Sequence, residues 1–502
     1  MAITKRVYVI SDLHLGGRAG QDQDRGFRMM RHPDKLATFI RKVAEKSTDS
    51  VPVELVINGD FVDFLAHEHA QDERWTSFAY KPGAALRAFE QIVSGPDKPV
   101  FDALADFVKK NRLTLMLGNH DLELCLPEVR AALLRSLGDA PLAHLCFLYD
   151  GEALQVGDAI IEHGNAHDPA NAVDFDGLRY LRAIRSRGYL DLTLQRRAFR
   201  PPPGSELVAT VMNPLKERYA FLDLLKPESE ALFSLLLAIE PDARDELRKL
   251  AGLVKGVAKN SLPKLGFPAS LANVSAAGAG AEADPDALAE VIADALQADA
   301  TVDPMSRTPS APALADVSVG SWLESKLGLF RSLFERGDAD LDARLPALRQ
   351  AFRALEGDYT WKPDVEAGRR YLRAAKTLAA DSGERSGYRF VVFGHTHHAK
   401  CVDLPDEGAV YLNSGTWANL LEFPSIPKND DAAAETIIRR FADDLKQNRF
   451  AKDDRGLVDH ADTSVVRQIF HPTYVRLDVK DDGKYLDGAR LCTYDWKAER
   501  VE

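Results

Sequence analysis

Residues 7–17 read VYVISDLHLGG, and they decide the fold. The run from Val7 to Ile10 is short, rich in β-branched and aromatic residues, and ends at a polar turn, the pattern of a strand buried in a sheet. Directly after it come Asp12 and His14. Side chains two apart in extended chain point to the same face, so this carboxylate and this imidazole can reach one ion together.

The same arrangement recurs along the chain. LVINGDFVDF at 55–64 ends a strand at Asn58 and presents Asp60, with Asp63 three residues on. LMLGNHDLEL at 115–124 presents Asn119, His120 and Asp121, and AIIEHGNAHD at 159–168 presents His163. VVFGHTHHAK at 391–400 presents His395 and His397, again two apart. One such strand end reads equally well as a polar turn. Five of them, all carrying metal-ligand residue types with glycine for a tight turn, point to a shared site, because ligands of open α/β sheets gather at the carboxyl ends of strands.

Two Asp, one Asn and four His exceed what a single four- to six-coordinate ion needs. With water they match two ions that share a bridging carboxylate. Nitrogen and oxygen ligands without thiolate select Mn, Fe, Zn or Co over Ca or Mg alone.

The remaining sequence fits around this site. Segments 33–45 and 101–111 have helical spacing between the strand-like runs, so the first part of the chain alternates strands and helices about a sheet. From 174 to 383 the character turns to long helical patterns, and within them 268–320 is rich in Ala, Ser, Pro and Asp. That stretch is expected to be a flexible linker with one short helix near 286–297. Strand character returns at 388–393, 409–412, 465–479 and 489–493. The expected organisation is therefore a core in two parts, 1–173 and 384–502, interrupted by a mainly helical insertion at 174–383.

With 502 residues, 45% hydrophobic and 28% charged, the composition is that of an ordinary globular protein. A net charge of −12 argues against a surface that wraps nucleic acid throughout. The start, MAITKRVYVISD, has no apolar leader, and no run is long enough for a membrane span, which together lead to the expectation of a cytoplasmic location. Four cysteines without a CxxC pair suggest buried thiols and neither a disulfide framework nor a thiolate metal site.

The series DxH, GDxxD, GNHD, HG and GHTH resembles the calcineurin-like metallophosphoesterase superfamily, in family order, over roughly 5–170 and 388–500. The resemblance implies an α/β fold in which a β-sandwich core is flanked by helices. It also implies that Asp12, His14 and His397 hold one metal, that Asn119, His163 and His395 hold the other, and that Asp60 bridges them. Two such ions about 3.5 to 4 Å apart acidify a bridging water and clamp phosphate oxygens. The implied reaction is attack by a metal-bridging hydroxide on a phosphoester or pyrophosphate, with His120 as general acid and Asp121 orienting its imidazole. Manganese is the first choice of metal.

Substrate choice is expected to lie with the insertion. Between Arg179 and Arg200 it carries seven Arg and a single acidic residue, Asp191. This is either a solvated helix face or a phosphate-steering surface, with Arg182, Arg185 and His167 as candidate substrate contacts. The apolar stretch 219–241 suits core packing or a dimer contact, and also an acyl chain or a peripheral membrane contact. ISDLHLGG, NGDFVDF and GNHD further resemble the branch of UDP-diacylglucosamine pyrophosphohydrolases, whose HGD is HGN here, with Asn165 in the place of the Asp. The leading reading is a hydrolase, such as a phosphodiesterase, of a small or lipid-linked phosphoester. A metal-dependent nuclease of the same superfamily and an inactive metal-binding scaffold are the alternatives, and the oligomeric state is left open.

Overall fold

The computed structural model describes residues 2–17, 28–68, 74–138, 141, 143–168, 171–213, 216, 345, 349, 369–381, 387–422, 426–427, 429–446, 467–480, 483 and 485–502. The expected linker at 268–320, the short helix near 286–297 and the apolar stretch 219–241 lie outside these. The chain divides into two compact units. One comprises Met1–Lys226, Trp361–Leu420 and Phe470–Glu502, the other Pro227–Thr360 and Leu421–Ile469.

The first unit is built on two sheets. Strand β1 (Ile3–Ile10) runs parallel to β2 (Val53–Asn58), β2 parallel to β3 (Arg112–Met116) and β3 parallel to β4 (Leu145–Leu148). On its other side β1 pairs antiparallel with β12 (Thr473–Lys480), which pairs antiparallel with β13 (Leu486–Thr493). The second sheet has the order β5 (Leu154–Val156), β6 (Ala159–Ile161), β7 (Phe390–Phe393), β9 (Ala409–Asn413), β8 (Lys400–Leu404), with β6, β7 and β9 parallel.

Alternation along β1 explains the layering. Val7 and Val9 face Ile161, Val392 and Leu412 of the second sheet in one buried cluster. Tyr8 and Ile10 point the other way, into a cluster with α1 (Pro33–Glu45), α2 (Ala84–Ser94), α3 (Lys98–Phe107) and α4 (Pro127–Ser136). On the far face of the second sheet, Val391, Phe393 and Tyr411 pack on Tyr371, Ala375 and Ala379 of α7 (Arg369–Ala379). The unit is thus helix, sheet, sheet, helix, the β-sandwich flanked by helices that the motifs implied. A strand buried on both faces must be apolar on both, which is why the sequence there shows runs and no alternation.

Helix α5 (Phe175–Arg185) begins at Asp174, whose side chain accepts from Gly177 N, and α6 (Leu192–Ala198) begins at Asp191, whose side chain accepts from Leu194 N. Both fall within the sequence region assigned to the insertion. Leu178, Leu181, Ile184 and Phe199 join the same cluster as α1–α4. The single strand expected over 465–479 is two, β11 (Arg467–Ile469) and β12, with Pro472 between them. Strand β11 pairs with β10 (Leu420–Glu422), and in the second unit Arg349 forms ion pairs with Asp431 and Glu435 of α8 (Asp431–Lys446). Of the cysteines, Cys125 and Cys492 are buried as expected, but Cys401 is exposed, because it lies on β8 at the sheet edge.

Candidate metal centre

All five motifs end strands of the first unit at the same end of the sandwich. Asp12 and His14 follow β1, Asp60 and Asp63 follow β2, and Asn119, His120 and Asp121 follow β3. His163 follows β6, and His395 and His397 follow β7. The side chains converge as three overlapping groups: Asp12, His14, Asp60 and His397 form one, Asp60, His163 and His395 a second that shares Asp60 with it, and His14, Asp63 and His120 a third.

Holding these residues there bends the backbone. Among the described residues six that are not glycine have positive φ, and five of them are Asp12, His14, Asp60, His395 and His397. Such strained conformations gather at functional sites, where the surroundings impose them. Glycine permits the closest approaches: a methyl at Gly118 would overlap Asp60 Oδ1, and one at Gly59, itself at φ +80°, would overlap His163 Nδ1.

Hydrogen bonds set which atoms face the centre. His163 Nδ1 lies 2.8 Å from Asn58 O, so Nδ1 carries the proton and Nε2 the lone pair. His14 Nδ1 lies 3.2 Å from Asp63 Oδ2, with the same consequence. Asp60 Oδ1 accepts from His120 N at 2.9 Å, which turns Oδ2 inward to 3.8 Å from His14 Nε2 and 3.3 Å from His163 Nε2. Asn119 Nδ2 donates to Asn171 Oδ1 at 3.3 Å, which leaves the buried Asn119 Oδ1 without a hydrogen-bond partner.

The donor set fits divalent metal ions. His14 Nε2 and His397 Nε2 face each other at 3.1 Å, and His397 Nε2 is 3.4 Å from Asp12 Oδ1. His14 Nδ1 is held by Asp63, so the His14 Nε2 lone pair faces His397, where it can take either a His397 proton or an ion. The buried amide oxygen Asn119 Oδ1, lacking a hydrogen-bond partner, is costly unless a ligand takes it.

Charge couples these groups. Burial alone would raise the Asp60 carboxyl, but His163 and then His120 outweigh it and hold Asp60 well below the usual carboxylate range. Burial would lower His163, yet Asp60, followed by Asp12, carries it up to about 10. Asp12 is raised, chiefly by its burial.

The sequence misplaced one partner. Asp121, expected to orient His120, accepts instead from Gly118 N and Phe61 N, each at 2.8 Å, and so clamps the two turns together. The carboxylate beside His120 Nδ1 is Asp63, at 3.2 Å, whose other oxygen serves His14. Asp121 is turned toward the two backbone N–H groups, one to each oxygen, and it is Asp63 that meets the imidazole. Burial and the repulsion of Asp60 push it up to about 8.

Arg182 and Arg185 are not brought to the cluster. Arg182 pairs with Asp150 and lies over the Tyr149 ring, and Arg185 donates to Gln195, Glu128 and the carbonyls of Ala79 and Tyr80. His167 pairs with Glu162 and stacks on Phe393. Asn413 and Thr416 hold the motif backbones, through Gly394 O and Asp12 O, each at 2.7 Å. Asn171 carried no signal in the sequence: a lone Asn in a turn has no spacing that marks it.

The family model for calcineurin-like phosphoesterase matches residues 5–225. That span contains every ligand candidate except His395 and His397. No curated protein and no solved structure matches the chain significantly. No described helix is long and apolar enough to cross a membrane.

Proposed function

We propose, from the match of residues 5–225 to the calcineurin-like phosphoesterase family, that the chain hydrolyses a phosphoester or pyrophosphate bond with two divalent metal ions. Asp12, His14 and His397 would hold one ion, and Asn119, His163 and His395 the other. The observation that supports this most is Asp60 Oδ2, which lies between His14 Nε2 and His163 Nε2 and belongs to the first two groups. Ions held there supply an acidified water as nucleophile and neutralise charge on the phosphoryl oxygens.

The protein's own groups do the rest. His120, with Nδ1 against Asp63, is the group that would give a proton to the leaving oxygen, and at 18% side-chain exposure it is more open than the seven ligand candidates. Asp63 holds that proton on the imidazole: burial opposes its charge, but His120 and His14 keep it ionised well below the usual range. Asp121 acts through the backbone, fixing the turn that carries Asn119 and His120. Arg182, Arg185 and His167 belong to the fold in this reading and not to the substrate.

Manganese is the expected metal, and the substrate class is a small or lipid-linked phosphodiester or nucleotide pyrophosphate. The choice among these is assigned to the insertion that separates His163 from His395 in sequence. The test is a panel of phosphomonoesters, phosphodiesters, nucleotide-sugar pyrophosphates and single-stranded DNA, assayed with manganese and after chelation. Hydrolysis should vanish with chelator and return with manganese. Hydrolysis unchanged in protein stripped of metal would overturn the dimetal reading, and a preference for DNA would favour the nuclease.

A further inference from the structure

The loop after β6 carries a polar network that the assignment above leaves unused. Asn171 Oδ1 accepts from Asn119 Nδ2 at 3.3 Å, while Asn171 Nδ2 donates to Asp168 Oδ2 at 2.8 Å. The same Asp168 Oδ2 lies 3.3 Å from His395 Nε2. Asn165 Nδ2 donates to Asn171 O at 3.0 Å and pins the backbone of the loop.

Part of this is ordinary turn chemistry. Asn171 N also donates to Asp168 O at 2.9 Å, and an Asx side chain closing its own turn needs no further reason. The contacts that leave the loop do need one. They reach 52 residues back to Asn119 and 227 residues on to His395, and both ends are assigned to the same metal site.

Each contact decides an orientation that metal binding requires. An Asn amide offers one acceptor and one donor end, and only the oxygen can bind a cation. Asn171 Oδ1 can accept only from the NH2 end of Asn119, which leaves Asn119 Oδ1 facing the site, where it is buried and lacks a hydrogen-bond partner. A neutral imidazole likewise has one N–H and one lone pair. A carboxylate beside Nε2 takes the N–H and leaves Nδ1 for the ion, the carboxylate–histidine–metal arrangement.

We propose that Asp168 and Asn171 are positioning residues of the second metal site, linked in series so that one loop orients both the Asn119 amide and the His395 imidazole toward the same ion. The inference rests on the dimetal reading above. It makes the two sites unequal, because the site of Asp12, His14 and His397 takes nothing from this network.

The test is metal binding by Asp168→Ala and Asn171→Ala, measured as manganese content after dialysis, as stepwise dissociation constants and as the spin-coupled signal of a manganese pair. Melting of the chelated proteins reports the fold. Wild type should hold two ions. Each variant should keep one ion with unchanged affinity, bind the other about 10- to 100-fold more weakly, and lose the coupled signal at limiting metal. Both ions bound as in wild type, or both weakened in parallel as a general loosening would do, overturns the proposal. Asn171→Ala removes a small, half-buried side chain and decides the matter if Asp168→Ala does not fold. Wild-type protein that binds fewer than two ions would instead remove the dimetal reading itself.

Discussion

Two polar regions of the first unit invite comparison: the strand-end cluster around Asp60 and the Arg-rich helices α5 and α6. Both stand out in the sequence as dense in functional residue types. In the fold they are opposites. The cluster turns its ligand atoms toward one another, with Asn119 Oδ1 buried and lacking a hydrogen bond, and it sits on left-handed backbone at Asp12, His14, Asp60, His395 and His397. Each such conformation costs on the order of 1 kcal/mol or more, although Asp and His tolerate it better than most residues. Arg185, which points inward from α5, is taken up by the protein, even though the buried Arg182 Nε and Gln195 Nε2 beside it lack hydrogen-bond partners. Arg185 alone ties α5 to α6 through Gln195, to α4 through Glu128 and to the 79–80 loop through two carbonyls. Polar side chains that the fold strains and turns toward one point are waiting for a ligand, whereas a side chain that commits its nitrogens to three other segments, as Arg185 does, holds the fold together.

The comparison can be broken most directly at its centre. Asp60→Asn weakens the shared oxygen as a metal ligand, and hydrolysis should fall by about a thousandfold or more, since metal charge stabilisation is worth several kcal/mol. Steady-state assay with metal analysis reads both effects, and an Asp60→Asn protein with full activity sinks the shared-carboxylate assignment. His120→Asn should cost about 10²- to 10⁴-fold in kcat while metal content stays at the wild-type level. Asp63→Asn should approach it, whereas an effect confined to Asp121 variants would reverse the assignment of the orienting carboxylate.

On the other side of the comparison, Arg185→Ala should act on stability. Removing one partner from a buried, hydrogen-bonded charge costs about 3–5 kcal/mol, so denaturant unfolding should show a large loss. A raised KM at unchanged stability would mean that Arg185 grips substrate after all.

Glu123 offers a finer probe of the same packing. Burial outweighs its hydrogen bond from Ala79 N and the charge of Arg185, and lifts it from an ordinary 4.5 to about 7. The folded protein therefore binds this proton more tightly than the unfolded chain does. Ionising Glu123 costs stability progressively as pH rises from 4.5 to about 7, and the cost is complete above that. Glu123→Gln should raise stability at pH 8 by an amount whose ceiling is on the order of 3 kcal/mol, with the gain disappearing near pH 4.5. A gain that is the same at both pH values would refute the burial argument. Arg179→Ala, which removes a solvent-exposed pair with Asp176, should change stability by less than about 0.5 kcal/mol.

The sequence by itself determined the core strands and all seven ligand candidates, because that information is local. The apolar runs mark strands buried on both faces and the residue types after them mark the ligands, but the spacing did not assign them: Asp12 and His14 join one group, whereas His395 and His397, also two apart, go to different groups on left-handed backbone. Local pattern was silent on β4, β5 and β8, which are short or lie at sheet edges and carry no motif. Only the tertiary structure decided partners. His120 sits next to Asp121 in sequence, yet its imidazole meets Asp63, because β2 and β3 are neighbours in the sheet and Asp121 is turned toward two backbone amides. Asn171 reaches Asn119 for the same reason: the two sheets bring the ends of β3 and β6 together, and no spacing along the chain encodes that distance. Strand periodicity fixes which way a side chain points, but what it meets there depends on the order and packing of strands that are far apart in sequence.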